Sequence, residues 1–377
     1  MAHVERRAQG RWRARYRGPD NRERSRTFGR RVDAERFLAG VETAKARGDW
    51  TDPRRARVTV GDWSREWLER KAPRLKPSTV ESYRSLLATC VLPTWAAVPL
   101  GAVEHSDVDA WVARLAGRLG PSRTRKAYVV LSGALDAAVR DSRLSRNPAR
   151  GVTLPRLPQR EHRYLDHADL ARLADAAGAY GPLVLVLGVC GLRFGEAAAL
   201  RVSDLDPLRG RLRVARSVTE VAGQPVWTTP KGHAARSVPL PRYVRDAVAE
   251  HVAGAAPGDL VFPSPEGAVL RNGNFRRRAW DRATAAAGLD GLTPHDLRHT
   301  AASLAVASGA TVLAVSRMLG HKSAAMTLDV YADLFSDDLD RLADRLDAAA
   351  AEARDTAAST AASEARSTVV PLASPGR

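Results

Sequence analysis

The residues best suited to chemistry lie near one another late in the chain: His295, Arg298, His321 and Tyr331. Imidazoles move protons, a guanidinium grips an anion with a planar fork that stays charged, and a phenol can act as a nucleophile. Together these types suit binding and proton transfer around a phosphate. Local signals place them on three short elements. Thr293 reads as an N-cap, Pro294 as the first helical residue and Asp296 as the acid three residues on, which starts a helix at Pro294. The i, i+3 spacing puts His295 and Arg298 on one face, with Leu297, Ala301, Leu304 and Ala305 as the buried stripe. Gly309 stops that helix. Thr311 caps a second, with Val312, Val315 and Leu319 inward, and Gly320 ends it, leaving His321 on the turn. Ser323 caps a third, which carries Tyr331 about two turns later.

The chain that must position them has 377 residues, enough for two or three domains. A net charge of +17 and a pI near 10.8 point to a polyanionic partner, with nucleic acid first. A GC-rich genome accounts for part of the arginine count but not for the imbalance of sign. Cys90 and Cys190 sit in apolar surroundings and read as buried thiols of a cytoplasmic protein. No C-x-x-C suggests zinc, and neither a metal nor a cofactor is expected. The most apolar run, Leu183 to Val189, is too short to span a membrane.

Residues 1–57 are dense in arginine. Trp12, Ala14 and Tyr16 alternate with Arg11, Arg13, Arg15 and Arg17, which predicts a strand with one apolar and one basic face. A turn at Gly18 to Asn21, a returning strand from Arg22 to Phe28 and a helix from Asp33 complete a small module. The basic face suits phosphate contact, or is simply a solvated surface. Residues 58–150 read as four helices, capped by Thr59, Ser78, Ser106 with Asp109, and Ser122. Their aromatics read as core. Lys76, Ser78, Thr79, Arg123, Arg125 and Lys126 cluster at helix starts, where main-chain N–H groups and cations meet phosphates. A proline-punctuated linker spans 151–163, and a further domain runs from 164 to 345. The tail, 346–377, reads as largely disordered. Leu339, Leu342 and Leu346 are spaced like a short amphipathic helix that docks on its own domain or on a neighbouring protomer.

Three more groups complete the chemistry. Gly191-Leu192-Arg193-Phe194-Gly195-Glu196 follows an apolar helix, and Lys231 lies in a turn between predicted strands, in Thr229-Pro230-Lys231 followed by Arg236-Ser237-Val238-Pro239-Leu240. Alone, Arg193 with Glu196 is an ordinary helical pair and Lys231 a solubilising turn residue. In order, Arg193, Lys231, His295-x-x-Arg298, Leu319-Gly320-His321 and Tyr331, ten positions after that histidine, resemble the tyrosine recombinase (phage integrase) family. The resemblance covers residues 60 to 335 well and 1 to 57 more loosely.

It implies a multidomain, mainly α fold with small β-sheets: a small α+β arm-binding domain, a helical core-binding (SAM-like) domain and a mixed α/β, mostly helical catalytic domain. It implies that Tyr331 forms a 3′-phosphotyrosine, that Arg193 and Arg298 hold the non-bridging oxygens, and that Lys231 protonates the departing 5′ oxygen. His295 would be the base for Tyr331 or the acid of the reverse step, His321 a donor to phosphate, and Glu196 the group that orients Arg193. The implied partners are double-stranded DNA bearing attachment sites, a homo-tetramer acting through a Holliday junction, and a directionality factor or host DNA-bending protein. The expected place is the bacterial cytoplasm, on the nucleoid. The module at 1–57 favours an integrase of a mobile element over Xer-like or topoisomerase IB-like enzymes. Two further rivals are a catalytically idle DNA-binding regulator and a metal-dependent nuclease using His295, His299 and His321. The nuclease lacks a carboxylate cluster, and there His299 reads as packing or bonding locally.

Overall fold

The structure, a computed structural model, describes residues 2–18, 21–46, 55–158, 163–230, 235–335 and 346–357. The chain divides into two compact units, residues 1–160 with 221–224, and residues 161–220 with 225–377. Within the first, the N-terminal and helical modules each have their own apolar core.

The N-terminal module is an antiparallel sheet of β1 (His3–Arg6), β2 (Trp12–Arg17) and β3 (Glu23–Phe28), with β2 in the middle. Alternation along β2 turns Ala14 and Tyr16 onto Ala34, Leu38 and Val41 of the helix Arg31–Ala46. β1 was not visible in the sequence, because four residues are too few to show a period. The opposite face is less purely basic than its arginines suggest. Glu5 lies 3.4 Å from both Arg13 and Arg15, and Glu23 lies 3.2 Å from Arg15. Arg11 and Arg17 are exposed.

The helical module is built on Val60–Lys71, Pro77–Leu86, His105–Leu119 and Pro121–Arg140. Trp63, Trp67, Trp95 and Trp111 are buried in its core. Thr59 caps the first helix, accepting from Asp62 N at 3.1 Å. The other three starts differ from the sequence reading. Pro77 and Pro121 each stand at the first helical turn, where a fixed φ and a missing N–H suit them, so Lys76 and Gly120 take the cap positions and Ser78 and Ser122 fall inside. The third helix starts at His105, so Ser106 is helical and no side chain caps it. Asn147 closes the module: its amide donates to Ser132 O and Asp136 Oδ1 at 3.0 and 2.9 Å and accepts from Ala149 N at 2.9 Å.

In the second unit the apolar helix Gly181–Cys190 lies at the core, packed by His167–Ala176, Arg242–His251 and Asp296–Ala307. A helix apolar on every face must be covered on every face. Beside it runs an antiparallel sheet ordered β4 (Leu205–Asp206), β5 (Arg211–Val214), β8 (Arg236–Pro239), with Leu212 opposite Val238. A separate hairpin pairs β6 (Ser217–Val221) with β7 (Gln224–Thr228). Between β5 and β6, Arg216 pairs with the carboxylate of Asp204. Residues 346–357 form an exposed helix, where the sequence reading already placed a disordered tail. Residues 336–345, with Leu339 and Leu342, lie outside the described residues. Among the described residues no helix is long and apolar enough to cross a membrane.

Candidate active site

Among the described residues, the candidate side chains are delivered at or near helix ends. Gly191, in the left-handed region at φ 66°, terminates Gly181–Cys190 and turns the chain toward Arg193. A Cβ there would stand 2.6 Å from Leu319 Cδ2, so a side chain would have to displace that leucine as well as adopt a strained backbone. Gly320, also at φ 66°, ends Val312–Leu319 and exposes His321 to the site. Thr311 and Ser323 cap the helices Val312–Leu319 and Ala324–Tyr331, accepting from Ala314 N at 3.2 Å and Met326 N at 3.4 Å. The helix carrying Arg298 begins at Asp296, two residues later than the cap reading placed it. Thr293 is not the acceptor there; its N–H and hydroxyl both donate to Asp296 Oδ2 at 2.7 Å, and Pro294 and His295 form the turn.

Arg298 is almost fully buried and joins two helix C-termini. Nη1 donates to Gly191 O and Nη2 to Leu319 O, both at 2.6 Å. The last carbonyls of a helix lack internal partners and carry the negative end of its dipole, so a cation fits there. Burial, and then the charges of Arg193 and Arg236, push the guanidinium down to about 9, against the pull of Glu196 and Tyr331. It is charged at neutral pH, with donors left for an anion.

Glu196 is the hub of a second network. It is 1% exposed and accepts from Arg193 N and Nη1, each at 3.0 Å. Arg236 meets the same carboxylate with both Nη atoms, at 3.0 and 2.7 Å, and sends Nε to Met318 O at 2.9 Å. Burial alone would raise the Glu196 carboxyl; the hydrogen bonds and charge of Arg236, then Arg193, outweigh it and hold it below its ordinary value. Arg236 was quoted in the sequence motif without a role. Its signal there was its position five residues after Lys231. Replacing Glu196 by Gln leaves Arg193, Arg236 and Arg298 facing one another without a counter-charge. The expected loss is about 2 kcal/mol of stability, read by denaturant unfolding.

Tyr331 is 2% exposed, and its Oη lies 2.9 Å from His299 Nδ1. Burial pushes the phenol up to about 12 despite the charge of Arg298. The ring stacks parallel to His321 at 6.5 Å between centroids. His321 Nδ1 lies 2.9 Å from Thr327 Oγ1; with that hydroxyl donating, the ring proton sits on Nε2. Burial, then Arg298, Arg193 and Arg236, push His321 down to about 4. A folded value below the ordinary 6.5 means the unfolded chain takes up this proton first. The contribution to stability is complete above pH 6.5 and is lost as pH falls from 6.5 toward 4. Melting temperatures across that window are expected to fall less steeply for His321→Gln than for wild type.

His295 is exposed, and its ring stands edge-on to His299 at 5.3 Å. The imidazole on the Tyr331 phenol is therefore His299, one turn further along, which the sequence reading treated as local packing. Lys231 lies outside the described residues. Arg193, Glu196, Arg298, His321 and Tyr331 are gathered on the core of the second unit. Among the described residues, no three His, Cys, Asp or Glu side chains are grouped to hold a metal ion.

Two family descriptions match the chain: "Phage integrase family" over residues 163–337 and "Phage integrase, N-terminal domain" over residues 3–47. A prophage phiRv2 integrase of Mycobacterium tuberculosis is 31% identical over 337 residues, covering 85% of this chain and 88% of that one. The chain belongs to the phage integrase family of tyrosine recombinases. It is a DNA strand transferase that acts in site-specific recombination. The fold of this recombinase is shared with solved structures at lower identity. The Tn1549 transposon integrase, solved with a circular intermediate DNA, superposes with a TM-score of 0.65 at 20% identity, covering 75% of this chain and 99% of that one. A lambda integrase tetramer bound to a Holliday junction gives 0.59 at 19% identity, covering 85% and 95%. The recombinase is mainly helical with small sheets.

Proposed function

We propose that this recombinase integrates and excises a mobile element, with Tyr331 as the nucleophile that forms a 3′-phosphotyrosine. The observation that carries the residue assignment is the convergence of Tyr331 with two buried-core arginine networks and His321. Arg193 and Arg298 bind the non-bridging oxygens and stabilise charge in the pentacoordinate transition state. His321 donates from Nε2. Lys231 delivers a proton to the departing 5′ oxygen, and His295, at the exposed start of its helix, serves proton transfer at the phosphate. The free 5′ hydroxyl of a partner duplex reverses the step, so the bond energy is kept without ATP. The match of residues 3–47 to a phage integrase N-terminal domain and the prophage relative support the mobile-element setting. A homo-tetramer passing through a Holliday junction is proposed from the lambda integrase assembly. Arg11, Arg13, Arg15 and Arg17 are assigned to arm DNA, and Lys76, Ser78, Thr79, Arg123, Arg125 and Lys126 to core DNA. Arg123 and Arg125 also hold their own module, on Thr89 Oγ1 and Pro155 O, each at 3.1 Å.

The test is covalent trapping in EDTA on a plasmid carrying the DNA that flanks the gene, quenched in SDS. An EDTA-resistant protein–DNA adduct supports the reading and maps the site. Nicking that EDTA abolishes, with no adduct, sinks it in favour of a nuclease. Binding itself is expected to weaken steeply with salt, each neutralised phosphate adding ~0.9 to the slope of log K against log salt. A flat titration would contradict the charged-clamp assignment.

A further inference from the structure

We propose that His299, rather than His295, is the base that takes the proton of Tyr331 when the tyrosine attacks phosphorus. This rests on the recombination reading above and adds a catalytic residue to it. The carrying observation is contact with the reacting atom: Tyr331 Oη and His299 Nδ1 are 2.9 Å apart, across 32 residues of chain. That is within the reach a general base requires. The two rings are 5.6 Å apart between centroids, and they come from the helices Ala324–Tyr331 and Asp296–Ala307.

The second observation is the state of the phenol. Tyr331 is buried, and burial raises its hydroxyl to about 12, so it is protonated at neutral pH. A neutral phenol is a weak nucleophile and needs an acceptor placed on it. Arg298 lies close enough to favour the phenolate electrostatically but accepts no proton. His321 stacks flat on the Tyr331 ring, and its Nδ1 is engaged with Thr327. His295 is one turn back and exposed. His299 is the group positioned for the transfer.

The step balances as follows in the forward direction. The Oη–H bond breaks and its proton passes to His299 Nδ1, with the other ring proton on Nε2. The freed oxygen pair forms the Oη–P bond. The P–O5′ bond breaks, its electron pair leaves on O5′, and O5′ takes a proton from the acid, assigned above to Lys231. In rejoining, the 5′ hydroxyl gives its proton back to the group that had protonated O5′ and attacks phosphorus, the P–Oη bond breaks, and His299 returns its proton to Oη.

The experiment is single-turnover adduct formation by the full chain on a nicked duplex built on the trapped cleavage site. One duplex carries the ordinary bridging 5′ oxygen and one carries sulfur in its place. A thiolate leaves without protonation, so sulfur relieves the loss of an acid and not the loss of a base. His299→Ala is expected to slow the adduct ~10²–10⁴-fold on both duplexes. His299→Asn keeps a hydrogen-bond acceptor but no base, and is expected to stay within about tenfold of the Ala variant. Melting temperature and duplex binding read the fold, and the Asn variant carries the test if the Ala variant unfolds. Rescue of His299→Ala by sulfur, or near wild-type rates for His299→Asn, would overturn the proposal, since His299 would then serve the leaving group or merely hold the ring. An unchanged rate in both variants overturns it as well. If wild type itself forms no adduct, it is the recombination reading that fails.

Discussion

Tyr331→Phe is expected to abolish the covalent protein–DNA adduct, by on the order of 10⁴-fold or more, while duplex binding is unchanged. The substitution deletes one oxygen. That oxygen is the one nucleophile the protein contributes in the proposed mechanism, so no neighbouring group supplies the missing bond. It is also the atom held by His299 at 2.9 Å. The phenyl ring keeps its place, because its faces rest on His321 and on the core of the second unit. The structural cost is one hydrogen bond, about 1 kcal/mol. SDS-quenched trapping and a melting curve on the same preparation check both halves. An adduct that persists in the variant would move the nucleophile elsewhere.

Arg298→Ala is expected to fail in two ways at once. Cleavage falls ~10²–10³-fold through loss of a preorganised phosphate donor. Stability falls by about 3–5 kcal/mol, because Gly191 O and Leu319 O are both left buried without their donor, 2.6 Å away in the wild type. Those carbonyls close the two turns that present Arg193 and His321. Arg298→Lys is expected to recover little, since one ammonium on a flexible stem cannot span two carbonyls and a phosphate. Denaturant unfolding separates the losses: a variant stable at wild-type level yet inactive would confine Arg298 to the phosphate. An active variant of reduced stability would confine it to the turns.

Much of the catalytic architecture was legible before any coordinates because it is local. Caps at Thr311 and Ser323 and stops at Gly309 and Gly320 depend on residues one to four positions away, and all are formed. The reading slipped where two local signals competed. At Pro77 and Pro121 the proline decided the start and the nearby serine did not. At Thr293 the acid accepts from the threonine, so the helix opens at Asp296. Strand β1 was missed for want of length.

By itself the sequence determined the family and the mainly helical fold with small sheets, since residue type and spacing carry both, and the set Arg193, Lys231, His295, Arg298, His321 and Tyr331 is proposed on the same ground. Only the tertiary structure decided who touches whom within the second unit. Arg236 reaches Glu196 across 40 residues, Arg298 reaches Gly191 across 107, and His299 reaches Tyr331 across 32. Such partners are chosen by how helix ends pack and by which unpaired carbonyls and buried charges must then be satisfied, and no spacing along the chain encodes that choice.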